Sequence, residues 1–333
     1  MKKKLLILIG IILLSSCIGR EQKDYAYSDI DIEIVRYDKL IYEATAMNSF
    51  LALQKMNIKH PQATKILIEE ILDLGAVNSD RVNDQLCAYY SDTLLIKLME
   101  DALAKYKDLS PIEEQLTHGF RKLKEELPAI VVPKVYAQIS ALNQSVVIGN
   151  KLLGFSIDKY MGKDYPIYRK FYYKYQRESM KPENIVPDCF MYYLIGQYPF
   201  KWKRDHRSLF DIIIHRGKIA WTIEKIFNED MSGKFSLGYS KEEVEWCKKN
   251  YKDIVGWMID NQYMTSTNPM LIRSYILNTQ PLTFRGKQMP SFFGIWLGMQ
   301  IVNKYMETHK ECTIKDLFDN SNLATEFDTN NLI

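Results

Sequence analysis

Apolar residues recur every three or four positions along most of the chain, and this spacing is typical of amphipathic helices. The helices that we predict cover residues 49–58, 61–75, 92–106, 111–126, 165–178, 182–197, 207–227, 240–262, 267–277 and 291–308. Gly and Pro are scarce, with 15 and 11 in 333 residues. Because a sheet sandwich needs many tight turns, this scarcity favours a mostly helical protein.

Short β-branched runs interrupt the helical pattern at two places. Residues 30–37 alternate apolar and polar side chains, which predicts a half-buried strand. Further strands are predicted at 129–132, 135–140, 145–148 and 152–157, the last two joined at Gly149-Asn150 as a hairpin. Strands placed between two helical blocks predict an α+β fold, mostly helical, with a small sheet packed by helices.

Two helix starts carry capping signals. Ser110-Pro111-Ile112-Glu113 offers an N-cap, a proline at the first helical position and a glutamate three residues on. Ser240 and Glu243 have the same spacing, which predicts a second capping box.

The N-terminus has the pattern of a bacterial export signal. Lys2–Lys4 precede the apolar stretch Leu5–Leu14, which is too short to span a bilayer, because a helix needs about 20 residues for that. Leu14-Ser15-Ser16-Cys17 resembles the lipobox of bacterial lipoproteins, in which the cysteine is lipidated and the chain is cut before it. The alternative is a plain secretory signal with an incidental cysteine.

The predicted organisation follows from this signal. Residues 1–16 are the signal peptide, 17–28 carry the lipidated Cys17 and a linker, and 29–333 form a single α+β domain. Within that domain, 29–127 would form a helical half, and 128–333 would hold the sheet and the C-terminal helices. Two or three acyl chains such as palmitate anchor stably, because each buried CH₂ adds about 0.8 kcal/mol of membrane affinity.

The formal charge of +3 comes from the signal segment. The chain has 44 Lys+Arg and 41 Asp+Glu, and removal of Lys2–Lys4 leaves the two signs equal. Nucleic-acid affinity depends on clustered basic residues that release counterions. We therefore expect no nucleic-acid partner.

Motifs of known chemistry are absent from the sequence. It has no Gly-x-Ser-x-Gly, P-loop, Gly-x-Gly-x-x-Gly, His-Glu-x-x-His or Cys-x-x-Cys, so we expect no metal and no cofactor. The single Ser-x-x-Lys, Ser156 to Lys159, lacks the partner motifs of penicillin-binding proteins. The remaining cysteines are Cys87, Cys189, Cys247 and Cys312. An oxidising envelope would permit one or two disulfides among them, but we expect buried free thiols for at least two.

One histidine lies in a strongly apolar predicted helix. Asp211 precedes His215 by one turn and could orient it as a general base, with Arg216 beside it and Asp188 on the preceding helix. These four residues form the candidate pocket. The alternative is structural, with His215 paired to a carboxylate at the edge of a packed helix and Asp188, like Asp158 and Asp164, capping an element end.

Two segments combine aromatic and basic residues. Residues 201–207 form the most basic stretch of the body and contain Trp202, so they could contact anionic lipid or acidic glycans, or form a solvated loop. The run 165–177 alternates tyrosines with Lys and Arg, and an amphipathic packing helix explains it without a nucleic-acid ligand.

Several segments of the sequence together resemble one protein family. The stretch 148–166, with a hairpin followed by Ile157-Asp158-Lys159-Tyr160-Met161-Gly162 and Tyr165-Pro166, resembles the core of the GldB-like gliding-motility lipoproteins of Bacteroidota. Residues 180–188, 238–247 and 290–302 are similar to the same family. The resemblance implies a lipoprotein of the cell envelope, in the outer membrane, linked to gliding or secretion machinery, although motility itself does not follow.

A more distant resemblance implies a degenerate zincin-like fold. In gluzincin-type predicted zinc peptidases, a His-Glu-x-x-His helix precedes a helix carrying Glu-Gly. By element order, residues 187–191 stand in the first motif and Arg216-Gly217 in the second. The ligands are missing, so the sequence favours a non-catalytic protein that binds unidentified envelope proteins. The alternatives are an envelope hydrolase of metallopeptidase type with an unrecognised site, and a glycan-binding or peptide-binding lipoprotein.

Overall fold

The computed structural model describes Tyr27 and residues 29–202, 207–320 and 323–327, so Cys17 lies outside the described residues. The helices are α1 (Tyr37–Thr45), α2 (Phe50–Lys59), α3 (Pro61–Lys65), α4 (Val82–Tyr89), α5 (Thr93–Lys105), α6 (Ser110–Glu126), α7 (Tyr168–Phe171), α8 (Lys174–Arg177), α9 (Ile185–Gln197), α10 (Leu209–Ile226), α11 (Lys241–Asp260), α12 (Pro269–Ile276), α13 (Phe293–Thr308) and α14 (Ile314–Asp319). A π-helical segment, Ile66–Ile71, continues α3. The fold is α+β and mostly helical, as the sequence predicts.

A four-stranded sheet lies among these helices. Its strands are β1 (Ile34–Arg36), β2 (Lys134–Gln138), β3 (Val146–Gly149) and β4 (Leu152–Ser156), in the order β1-β2-β4-β3. β1 and β4 run parallel to β2, and β3 pairs antiparallel with β4 as the predicted hairpin. A second, two-stranded hairpin joins β5 (Thr283–Phe284) to β6 (Lys287–Gln288).

Side chains of α6 cover the free edge of β1. Glu113 Oε1 accepts a hydrogen bond from the Ile34 N–H at 2.8 Å, and Thr117 Oγ1 accepts one from the Ile32 N–H at 2.9 Å. The predicted Ser110 cap is wrong, because the Glu113 side chain is bonded to the strand and not to the start of α6. Ser110 is instead the first residue of α6, and Asp108 accepts from its N–H. An edge strand satisfied in this way cannot recruit another chain.

Helix α9 connects the sheet to the C-terminal helices. It packs against β3 and β4 and against α10 and α6. Most of its side chains are buried, among them Phe190 and Leu194. A helix that is apolar nearly all round is expected only where it has neighbours on several sides.

The crossing of α10 and α13 depends on two glycines. A Cβ on Gly217 would lie 2.2 Å from the carbonyl carbon of Gly298, and a Cβ on Gly298 would lie 2.0 Å from the carbonyl oxygen of Ile213. The two backbones therefore approach more closely than any side chain allows. The close packing of α10 against α13 therefore explains why residue 217 is a glycine.

The remaining differences from the predicted elements have local causes. Residues 129–132 form no strand, because Pro128 and Pro133 flank them and cannot donate to a ladder. The segment 165–178 contains two short helices, α7 and α8. Helices α1, α4 and α14 were not predicted; in α1 the buried Tyr37, Ile41 and Ala44 have helical spacing directly after an alternating strand.

Candidate functional site

The four residues of the predicted pocket lie on α9 and α10. Asp188 is in the first turn of α9, Asp211 in the first turn of α10, and His215 and Arg216 one turn further on. Ser208 begins α10 with a capping box, in which its hydroxyl accepts from the Asp211 N–H and Asp211 accepts from the Ser208 N–H. Asp211 therefore has a structural task at the start of the helix.

Asp211 and His215 line the same cavity of about 220 Å³. His215 Nε2 lies 2.8 Å from the carbonyl oxygen of Tyr198, and since a carbonyl only accepts, Nε2 carries the proton. Burial lowers the pKa of His215 to about 4, so the ring is neutral at pH 7. The bond that orients His215 thus comes from Tyr198, while the Asp211 carboxylate is bonded to Ser208.

Asp188 and Arg216 do not line that cavity. Asp188 Oδ2 accepts a hydrogen bond from the Tyr160 hydroxyl at 2.8 Å, and desolvation raises the pKa of Asp188 to about 7. The negative charge of Asp188 raises the pKa of Tyr192, and the positive charge of Arg216 lowers it. Tyr192 therefore lies near both residues. The structure therefore brings only Asp211 and His215 to this cavity, while the charge of Arg216 still acts on His215.

The other residues flagged in the sequence serve the local structure. The buried Ser156 accepts from Gln138, and Lys159 Nζ donates to the Leu142 carbonyl and contacts the Tyr172 hydroxyl. The buried Asp158 accepts from two backbone N–H groups in the loop after β2. Asp164 is exposed and lies 3.8 Å from Arg169.

The basic stretch and the cysteines can be described in part. Residues 203–206 lie outside the described residues, while Trp202 is 69% exposed.

The four described cysteines are free thiols, and Cys189 and Cys247 are buried, which confirms the expectation for at least two of them. Within the described residues, no group of three His, Cys, Asp or Glu side chains is arranged to hold a metal.

A larger cleft, of about 530 Å³, lies beside α8 and the start of α11. We call it the Tyr175 cleft, and its walls are Lys163, Lys174, Tyr175, Glu178, Ser179, Lys181, 237–240, Glu242, Glu243, Asn278 and 288–292. Three segments that carry the family resemblance, 180–188, 238–247 and 290–302, contribute to these walls. Nothing in the sequence pattern indicates that these three segments meet.

Hydrogen bonds hold these segments against one another. Lys181 Nζ donates to the Gly238 carbonyl at 3.2 Å, and the Tyr239 hydroxyl donates to the Ser291 carbonyl at 2.6 Å. Gly238 has a φ of +68°, and a Cβ there would lie 2.7 Å from the Asn184 amide oxygen. A side chain at this position would push Asn184 away, so the wall needs a glycine.

The Tyr175 cleft carries both charges and an aromatic rim. Lys163 pairs with Glu178 at 3.1 Å, and the exposed Lys174 lies on the same wall. The Tyr173 ring stacks on Tyr175 with centroids 5.8 Å apart, and Tyr173 is 72% exposed. Tyrosines are enriched at protein interfaces, and the rims of such interfaces are polar.

The fold defines a mostly helical α+β domain, and the Tyr175 cleft lies where three distant segments of it meet. The family model described as gliding motility protein GldB matches residues 19–329. The chain belongs to this family. Comparison with curated proteins gave no match, and comparison with solved structures gave none. Among the described residues, no helix is long and apolar enough to cross a membrane.

Proposed function

We propose that this chain is a lipoprotein of the cell envelope, anchored in the outer membrane through acylated Cys17, and that it acts by binding another envelope protein. Membership of the gliding-motility family supports an envelope role in motility or secretion machinery. The observation that carries the binding role is the Tyr175 cleft, in which three distant segments form one wall.

The chemistry of the cleft suits a polypeptide partner. Its volume of about 530 Å³ can take several side chains, and its lysines and glutamates can pair with either charge. The exposed Tyr173 offers a large contact area, and aromatic residues of this kind dominate binding energy at protein interfaces. A partner segment would lie across the Tyr173–Tyr175 stack and pair with Lys174.

An envelope hydrolase is the second candidate, and the site geometry supports it less. A general base must present a proton-accepting atom to its substrate. The Tyr198 carbonyl orients His215 through Nε2, but the other ring nitrogen, Nδ1, is buried, and the Asp211 carboxylate is bonded to Ser208. A distant relation to gluzincin peptidases stays a prediction, as does capture of a glycan. If the chain were a hydrolase using these groups, Asp188→Asn or His215→Ala would abolish an activity of the wild-type protein.

The anchor is tested by Cys17→Ala in the native host. Without the thiol no thioether to lipid can form, so we expect the variant to leave the membrane fraction after carbonate washing. The wild type should stay, because two or three acyl chains give stable anchoring. A variant that remains fully bound after the wash would contradict the anchor.

The binding role is tested by a double variant of the cleft rim, Tyr173→Ala with Lys174→Glu. Both side chains are exposed, so the fold should tolerate the changes. Loss of an aromatic contact and reversal of a charge should weaken partner binding by about tenfold or more. Lys304→Glu on α13 is the matched control, because it is exposed, makes the same charge change and lies outside the cleft.

A further inference from the structure

Helix α2 has apolar residues on two opposite sides. Ala52, Leu53 and Met56 are buried against the body. Phe50, Leu51 and Ile58 lie on the other side and are 69%, 69% and 75% exposed. At 100° per residue these three fall within an arc of about 100°, which also contains the exposed Gln54. We call them, with the preceding Met47, which is 64% exposed, the α2 strip.

Exposed apolar residues in a contiguous strip mark an interaction surface, whereas single ones do not. The charged residues of α2 itself and of the segment that follows it have one sign. Residues 44–68 contain Lys55, Lys59 and Lys65 and no Asp or Glu. Lys55 and Lys59 follow the strip along one flank of the helix. Apolar residues flanked by lysines are typical of helices that lie in the interface of a membrane with anionic lipids.

The chain between Cys17 and the domain is long enough for the strip to reach the membrane that holds the anchor. His60, the residue after α2, has its ring against that of Tyr37, with centroids 5.9 Å apart. Tyr37 follows Asp29 by eight residues, which span at most about 28 Å. Eleven residues, 18–28, separate Asp29 from Cys17. They reach at most about 40 Å, so the strip stays within reach of the bilayer that holds the lipid.

We propose that the α2 strip lies on the lipid surface in which Cys17 is anchored, and so fixes the orientation of the domain on the membrane. The inference rests on the proposed lipid anchor. Because the anchored Cys17 already holds the chain at the membrane, contact of the strip with lipid is an intramolecular event. Its effective concentration is in the millimolar range, so a weak affinity of the strip for the membrane interface suffices. The strip would then act as a second membrane contact that a single anchor does not provide.

Photo-crosslinking in native membranes tests this contact in the full chain. Phe50 is replaced by p-benzoylphenylalanine, and the same change at Met270 on α12, which is 65% exposed, is the control. We expect phospholipid adducts at position 50 and few at position 270. Adducts of position 50 with a protein, including a second copy of this chain, would overturn the inference, as would equal lipid yields at both positions.

A second variant and a mass measurement complete the test. Leu51→Asp with Ile58→Asp changes only exposed side chains, and it should lower the lipid adduct at position 50 by about fivefold while the melting temperature stays unchanged. An unchanged adduct yield would overturn the inference. The mass of the N-terminal peptide from the same sample shows whether Cys17 is acylated. Acylated Cys17 without lipid adducts refutes the strip alone, and unmodified Cys17 refutes the anchor and the inference together.

Discussion

The glycine contact between α10 and α13 allows a quantitative test of the packing. In Gly298→Ala the new Cβ would lie 2.0 Å from the Ile213 carbonyl oxygen and 2.8 Å from its carbon. Both atoms belong to the backbone of α10, so no side-chain rotation can make room and the helices must move apart. Overpacking of this kind costs about 1–3 kcal/mol, and backbone neighbours favour the upper end.

The expected loss of stability can be measured by thermal unfolding followed by circular dichroism. Alanine returns up to about 1 kcal/mol of helix propensity, which leaves a net loss of about 2 kcal/mol. For a domain of about 300 residues that loss lowers the melting temperature by about 3 °C. Since α13 follows directly after the cleft residues 290–292, the variant should also weaken partner binding.

Gly196→Ala in α9 is the matched control for this variant. A Cβ on Gly196 meets only Ile148 Cγ2, at 3.3 Å, and that methyl group can shift. We expect its melting temperature to equal or exceed that of the wild type. If Gly298→Ala melted together with Gly196→Ala, the close approach of the two helices would be refuted.

Two further changes test the buried polar contacts. Because the pKa of Asp188 is raised from 3.8 to about 7, the folded state binds more protons between these values, and stability falls as the pH rises through this window. The neutral Asp188→Asn lacks this loss, so its melting temperature should gain on the wild type from pH 4 to pH 8, by an amount equivalent to about 4 kcal/mol; a constant difference would contradict the assignment. Glu113→Ala leaves the Ile34 N–H without its acceptor and should cost about 1–2 kcal/mol in urea unfolding, whereas Glu113→Gln keeps an oxygen there and should cost less. Equal losses in the two variants would show that the bond to β1 is unimportant.

The helices with a strong apolar period could be predicted from the sequence because their signal is local. The Ser240 capping box and the hairpin at Gly149-Asn150 are present as expected. Helix α1 was missed because the alternating run before it continues to its first residue. The strand predicted at 129–132 failed because the prolines on both sides outweigh β-branched propensity.

The candidate site could be predicted only in part, since it depends on long-range packing. Asp211 and His215 lie on one helix face, and the structure places both at one cavity. Nothing local indicates that Tyr198 supplies the hydrogen bond to His215. The Tyr175 cleft combines segments more than thirty residues apart, and the segments that resemble the family were the only sequence signal that marked its walls.

The binding role is tested most directly by quantitative capture of the lipidated protein from native membranes, with its neighbours identified by mass spectrometry. We compare the wild type, the rim variant Tyr173→Ala with Lys174→Glu, and the control Lys304→Glu. The proposal predicts a specific neighbour that the wild type and the control recover equally and the rim variant recovers about tenfold less. Equal recovery by all three proteins, or no specific neighbour of the wild type, would contradict it.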